Sequence, residues 1–256
     1  MEIIGVIGGM GPQAGLDLVQ KILGYTAAQA DGEHLPTALL SYPGLIPERS
    51  LFLNGHSDEN PADAITEIAR RLDTAGATVA GIPCNTAHVP VIFDPVVERL
   101  QAEGRGLRLL HMIDEAVEEV ERQEPRLHRV GVLSTDAVRR LGLYRDRLEK
   151  AGFEPILPDA DVQKRLVSPV IFDRTWGVKA QSHPVSPEAR QHLLQAVAHL
   201  TDQGAEAIIL GCTELPLALT EDRMEGVAMI DPTAVLARAL IRETYPEKLR
   251  VREAAR

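Results

Sequence analysis

The chain of 256 residues reads as an α/β fold made of two similar parallel-sheet halves. Three observations predict it. Short runs of Val, Ile and Leu alternate with longer amphipathic stretches along the whole chain. The short runs are apolar almost throughout, as expected of parallel strands covered on both faces. Two segments also recur about half a chain apart.

In chain order, residues 3–8 form a strand that runs into the glycine loop Gly8-Gly9-Met10-Gly11-Pro12 and a helix over 15–28. A strand over 37–41 leads through a Pro- and Gly-containing loop to a helix over 61–74 and a strand over 78–82. A strand over 107–111 precedes a helix over 113–122. The second half reads as strand 129–134, helix 136–150, helix 187–203, strand 207–211, strand 227–230 and helix 232–242. Pro61, Pro187 and Pro232 stand where a first-turn proline is welcome, and Gly76, Gly152 and Gly204 stand where helices stop. Residues 247–256 read as a frayed charged tail. This alternation predicts a mainly parallel sheet with helical connections.

The repeat pairs Gly5-Val6-Ile7-Gly8 with Gly131-Val132-Leu133-Ser134, an offset of 126. It also pairs the segment ending in Cys84-Asn85-Thr86 with the one ending in Cys212-Thr213-Glu214, an offset of 128. Each half is then a Rossmann-like unit: residues 1–112 plus 228–256 carrying Cys84, and residues 113–227 carrying Cys212. Loops leaving the carboxyl ends of parallel strands share one edge, where ligands bind. Related by a pseudo-twofold axis, the halves would place the site in the cleft between them, with a cysteine on each side.

Charge and composition narrow the function. Lys and Arg number 27 against 37 Asp and Glu, a net charge of -10. Attraction to nucleic acid or to an acidic membrane surface is therefore not expected. No apolar run approaches the roughly 20 residues of a membrane span, and no basic stretch precedes the first apolar residues. The expectation is a soluble cytoplasmic protein. With only 2 cysteines, a disulfide scaffold and a four-cysteine zinc site are excluded. The glycine loop has neither dinucleotide nor Walker spacing. It reads as a tight turn offering backbone N–H groups to an anion such as a carboxylate.

A single cysteine is most simply a small buried hydrophobe. Here both end apolar strands and precede helical segments, where partial positive charge should lower a thiol pKa towards neutrality. Neither lies in a C-x-x-C pair, and no metal site is expected. His88, one turn beyond Cys84, reads as a supporting residue. Arg49, in the Pro-rich loop after the second strand, can bind a carboxylate bidentately. His34, His111 and His183 read as structural or surface residues, and Trp176 as packing or lid.

At these residues the sequence resembles the aspartate/glutamate racemase family, its aspartate branch above all. The resemblance rests on residues 4–12, Ile46-Pro47-Glu48-Arg49-Ser50, Pro83-Cys84-Asn85-Thr86-Ala87-His88, Gly177-Val178-Lys179-Ala180, Gly211-Cys212-Thr213-Glu214 and Ile230-Asp231-Pro232. It implies a homodimeric racemase of acidic amino acids that needs neither pyridoxal phosphate nor metal. Cys84 and Cys212 would then be the acid/base pair. Arg49 and Lys179 would hold the distal carboxylate. Ser50, Leu51 and Phe52 after Arg49, and Asn85, Thr86 and Ala87 after Cys84, would contact substrate. Thr213 and the glycine loop, with Met10, would bind the α-carboxylate. Gln181 stands where the family often has glycine, and the 172–176 segment is longer, so Lys179 matches less closely than the cysteines.

The chemistry is coherent. Inverting a stereocentre needs a base on one face and an acid on the other, and thiols titrate near enough to neutrality to serve as both. Glutamate instead of aspartate, a related isomerase or decarboxylase, and a non-catalytic dicarboxylate sensor remain the alternative readings. One methylene separates the two substrates, worth about 1–3 kcal/mol in a pocket.

Overall fold

The computed structural model describes residues 1–123 and 126–250. Two sheets form. The first has the order β2-β1-β3-β4 and is wholly parallel, built from β1 (Ile3–Gly8), β2 (Thr37–Ser41), β3 (Ala77–Gly81) and β4 (Arg108–Leu110). The second has the order β6-β5-β7-β9-β8, built from β5 (Arg129–Ser134), β6 (Glu154–Ile156), β7 (Ala207–Gly211), β8 (Arg223–Met224) and β9 (Val227–Ile230). Only the short edge strand β8 is antiparallel. Apart from β8, the two orders superpose with β1 on β5 and β3 on β7, so the sequence repeat is a structural one. Every residue of β7 is buried, which explains its unbroken apolar run.

Helices α1 (Pro12–Tyr25), α2 (Arg49–Leu53), α3 (Ala62–Thr74), α4 (Pro90–Ala102) and α5 (Met112–Glu121) belong to the first part of the chain. α1 begins three residues before the predicted start because Pro12 occupies its first turn, behind the N-cap Gly11. α4 escaped the sequence reading, since Pro95 lies inside it. Proline cannot donate to the carbonyl four residues back. That carbonyl, of Val91, accepts instead from Asn60 Nδ2 at 2.9 Å.

The second part contains α6 (Asp136–Arg140), α7 (Arg145–Lys150), α8 (Ala160–Val162), a π-helical turn (Gln163–Val167), α9 (Ser168–Phe172), α10 (Pro187–Asp202) and α11 (Leu215–Ala218). The single helix predicted over 136–150 is two, because Gly142 takes φ +66° and ends the first.

The last helix, α12 (Pro232–Thr244), returns to the first sheet. Its Leu236, Leu240 and Ile241 share one core cluster with Leu18 and Ile22 of α1 and with Ile4 and Val6 of β1. Residues 228–230 were assigned above to the first half, but β9 pairs with β7 in the second sheet. The crossing therefore falls at Asp231. Its carboxylate caps α12 by accepting from Thr233 N at 2.8 Å and receives Lys21 Nζ of α1 at 2.8 Å.

Of the tail expected to fray, Pro246–Lys248 forms a 3-10 turn, and Arg250 N donates to Tyr25 O at 2.8 Å. Residues 251–256 lie outside the described residues. Among the described residues, no helix is long and apolar enough to cross a membrane.

Candidate active site

Loops from the carboxyl ends of β1, β3, β5 and β7 converge with the start of α2 and the turn at Lys179 on one small cavity. Of the predicted residues, Met10, Arg49, Ser50, Cys84, Asn85, Thr86, Lys179, Cys212 and Thr213 line it. Leu51, Phe52 and Ala87 do not. On α2, Arg49 turns inward, Leu51 is exposed and Phe52 packs against the hydrophobic core. Ala87 is wholly buried in that core. The lining also includes Glu48, Thr135, Gly211 and Glu214, which the site prediction lacked. Thr135 follows β5, the counterpart of β1, so the shared-edge rule would have found it.

As it stands the cavity holds about 20 Å³, room for little more than a water molecule. Its walls must part to admit a larger ligand. A vestibule of about 360 Å³ lies against Glu48, Arg49, Lys179 and Glu214, the same residues that close the cavity on that side.

Both cysteines are buried and free. Their surroundings differ. The Cys212 thiol donates to Glu214 Oε2 at 3.1 Å, and Thr213 Oγ donates to the same oxygen at 3.1 Å. Burial, then the neighbouring Glu214 carboxylate, push the Cys212 thiol well above its ordinary value, and Lys179 only partly offsets them. The predicted lowering by a helix terminus fails here because α11 has four residues and a carboxylate intervenes.

Cys84 instead has a cation beside it. Burial works against the Arg49 guanidinium, but the neighbouring Cys84 and Glu48 outweigh that cost and hold Arg49 protonated. Lys179 is also held charged: desolvation opposes it, while Glu214, Cys212 and Cys84 prevail. Its ammonium lies 5.4 Å from the centre of the Phe172 ring.

The loop carrying Cys84 is fixed from beneath. The carbonyl of Cys84 accepts from Ala87 N at 3.1 Å, and His88 Nδ1 lies 2.9 Å from it. His88 is fully buried, stacked 5.0 Å from Phe93, and burial lowers its pKa to about 3. It is a neutral support for the loop and does not line the cavity, as its supporting role predicted. His111 is likewise structural, with its Nε2 3.2 Å from His88 O. Trp176 packs edge-on against His192.

One supporting residue had no signal in the sequence. Tyr144, fully buried, donates its hydroxyl to Asn85 Oδ1. Burial, with Asp231 and Cys212 adding, keeps the phenol neutral. Its ring passes under the Cys212 loop so closely that a Cβ on Gly211 would stand 2.9 Å from Tyr144 Cε2. Tyr144 thus touches both cysteine loops.

Two buried donors on cavity-lining residues have no protein partner: Arg49 Nε and Asn85 Nδ2. Of the donors predicted for an α-carboxylate, the Thr213 hydroxyl is bonded to Glu214. A Cβ on Gly11, at the start of α1, would lie 3.4 Å from Glu214 Oε1. Among the described residues, no group of three or more His, Cys, Asp or Glu side chains is placed to hold a metal ion.

Two like α/β units that each deliver one thiol to a common charged cleft define the class. A model of the Asp/Glu/hydantoin racemase family matches residues 7–240. A broad specificity amino-acid racemase of Bacillus subtilis (strain 168) is 26% identical over 248 residues, covering 95% of this chain and 98% of that protein. The aspartate racemase of Picrophilus torridus superposes with a TM-score of 0.76 at 26% identity, covering 95% of this chain and 94% of that one. An aspartate racemase homologue from Pyrococcus horikoshii OT3, at 24% identity and covering 95% of this chain and 99% of that one, shares the fold with a TM-score of 0.68. The chain belongs to the Asp/Glu/hydantoin racemase family.

Proposed function

We propose that this protein interconverts L- and D-aspartate without a cofactor, with Cys84 and Cys212 as its acid/base pair. One observation carries the reading: Arg49 Nε and Asn85 Nδ2 are buried, unpartnered donors on residues that line the same cavity as both cysteines. Buried donors left open cost about 1–3 kcal/mol each, and an anionic ligand recovers that cost. Two cations, Arg49 and Lys179, suit a ligand with a second carboxylate.

The surroundings of the thiols support a resting proton on Cys212, which donates to Glu214, while the Arg49 guanidinium stands beside Cys84. Cys84 takes the α-proton of one enantiomer, and Cys212 returns its own proton to the opposite face. The negative charge developing at Cα spreads into the α-carboxylate, where the Asn85 amide stabilises it more than it stabilises the ground state. The reverse reaction starts from the opposite protonation of the pair.

The similarity to a broad specificity racemase favours a second reading, in which uncharged amino acids are also accepted. The test is decay of circular dichroism with L-aspartate, L-glutamate and L-alanine, with EDTA and no added cofactor. Cys84→Ser and Cys212→Ser should each abolish racemisation, with one-sided exchange of the α-hydrogen in D2O surviving. Full racemisation by either variant would sink the two-thiol scheme. Turnover of alanine as fast as aspartate would favour the broader reading.

A further inference from the structure

Beside the cleft lies a second cavity of about 520 Å³, lined by Ser50, Asn54, Asp136, Arg139, Arg140 and Arg145 together with the apolar Leu157 and Phe172. Three guanidinium groups face it against a single carboxylate, in a chain whose net charge is -10. That carboxylate, of Asp136, already accepts from Ser168 Oγ at 2.8 Å.

The arginines are incompletely used. Arg145 is paired with Asp146 at 2.8 Å. Arg140 donates only to neutral oxygens, Leu53 O at 3.1 Å and Asn54 Oδ1 at 2.7 Å. Arg139 is half-buried, and its buried Nε has no hydrogen-bond partner. Among the described residues, neither Arg139 nor Arg140 forms an ion pair, although 37 acidic side chains are available in the chain. Arg140 is exposed, but Arg139 is partly buried, and a partly buried guanidinium without a counter-charge is costly and ordinarily paired. The planar donors of both arginines match the oxygens of a phosphate.

We infer that this cavity is a binding site for a phosphate-bearing ligand, separate from the cleft, with Arg139, Arg140 and Arg145 as its anion clamp. Phe172 and Leu157 offer an apolar wall to whatever carries the phosphate. The site touches the cleft at two points. Ser50 lines both cavities, and Phe172 lies under the Lys179 ammonium. Arg140 also grips the end of α2, the helix that carries Arg49.

The probe is inorganic pyrophosphate, titrated calorimetrically into the whole protein in metal-free buffer. Sub-millimolar binding is expected, at least tenfold weaker in Arg139→Gln and in Arg145→Gln. Because the cleft also holds cations, Lys179→Gln serves as a control and should bind as the unaltered protein does. Arg139→Lys keeps the charge and removes the fork; it should fall between the parent and the Gln variant, and its melting curve checks folding. Absence of binding overturns the inference. So does binding lost with Lys179→Gln and retained in the arginine variants, which would place the anion in the cleft. The readout uses no turnover, so failure of the racemase scheme leaves it standing or falling on its own.

Discussion

Cys84 and Cys212 occupy equivalent places in the repeat and meet opposite charges there, Arg49 on one side and Glu214 on the other. Removing the charge of Glu214 takes away both the repulsion and the acceptor that hold the Cys212 proton, so Glu214→Gln should move the thiol's titration to lower pH. Following Cys212 alkylation by peptide mass spectrometry across pH 6–10 reads this directly, and an unchanged profile would contradict the assignment. Tyr144→Phe removes the hydroxyl that orients the Asn85 amide. Loss of one buried hydrogen bond is worth about 1–3 kcal/mol, so kcat for aspartate should fall roughly tenfold with a smaller change in KM. A merely structural tyrosine would lower the melting temperature and leave kcat unmoved. The cysteines were legible because each combines a rare residue type with a strand end and a repeat. The role of Tyr144 was not, since a contact 59 residues away in sequence leaves no local pattern.

At the level of elements, the long strands were legible from unbroken apolar runs, while the three-residue β6 went unread. Helices gave the larger differences, and they share a cause. α4 hides behind Pro95, whose missing bond is compensated by Asn60, a residue from another loop. The stretch 136–150 has helical periodicity but turns sharply at Gly142, and that turn directs Arg139 and Arg140 on one side and Arg145 on the other towards a single cavity. A side chain at 142 faces a left-handed φ and the Asp146 carboxylate, 2.6 Å from the new Cβ. Gly142→Ala should therefore cost about 1–3 kcal/mol by urea unfolding, with weakened pyrophosphate binding. A continuous helix that tolerates alanine there would show no loss.

Across the whole molecule, the halves are tied near the cleft by three residues, from α6, the segment after it and α7. Arg140 reaches the end of α2, Tyr144 reaches Asn85, and Arg147 reaches His111. His88 sits below this seam as a neutral wedge with a pKa near 3. Unfolding returns it to about 6.5, so the unfolded chain binds more protons in acid. Its stabilising effect is complete above pH 6.5 and falls away as pH drops towards 3, by about 2 kcal/mol at pH 5. The stability gap between the parent protein and His88→Gln, from urea melts, should narrow by that amount between pH 7 and 5. The acidic net charge describes the exterior, whereas the cleft and the arginine cavity are locally cationic, a division that composition alone averages away. The unequal settings of the two thiols also meet a thermodynamic limit. Mirror-image amino acids have equal free energies in water, so a racemase must show the same kcat/KM in both directions. The pairing of one cysteine with an anion and the other with a cation can then divide kcat and KM differently for the two enantiomers, but it cannot favour either product at equilibrium.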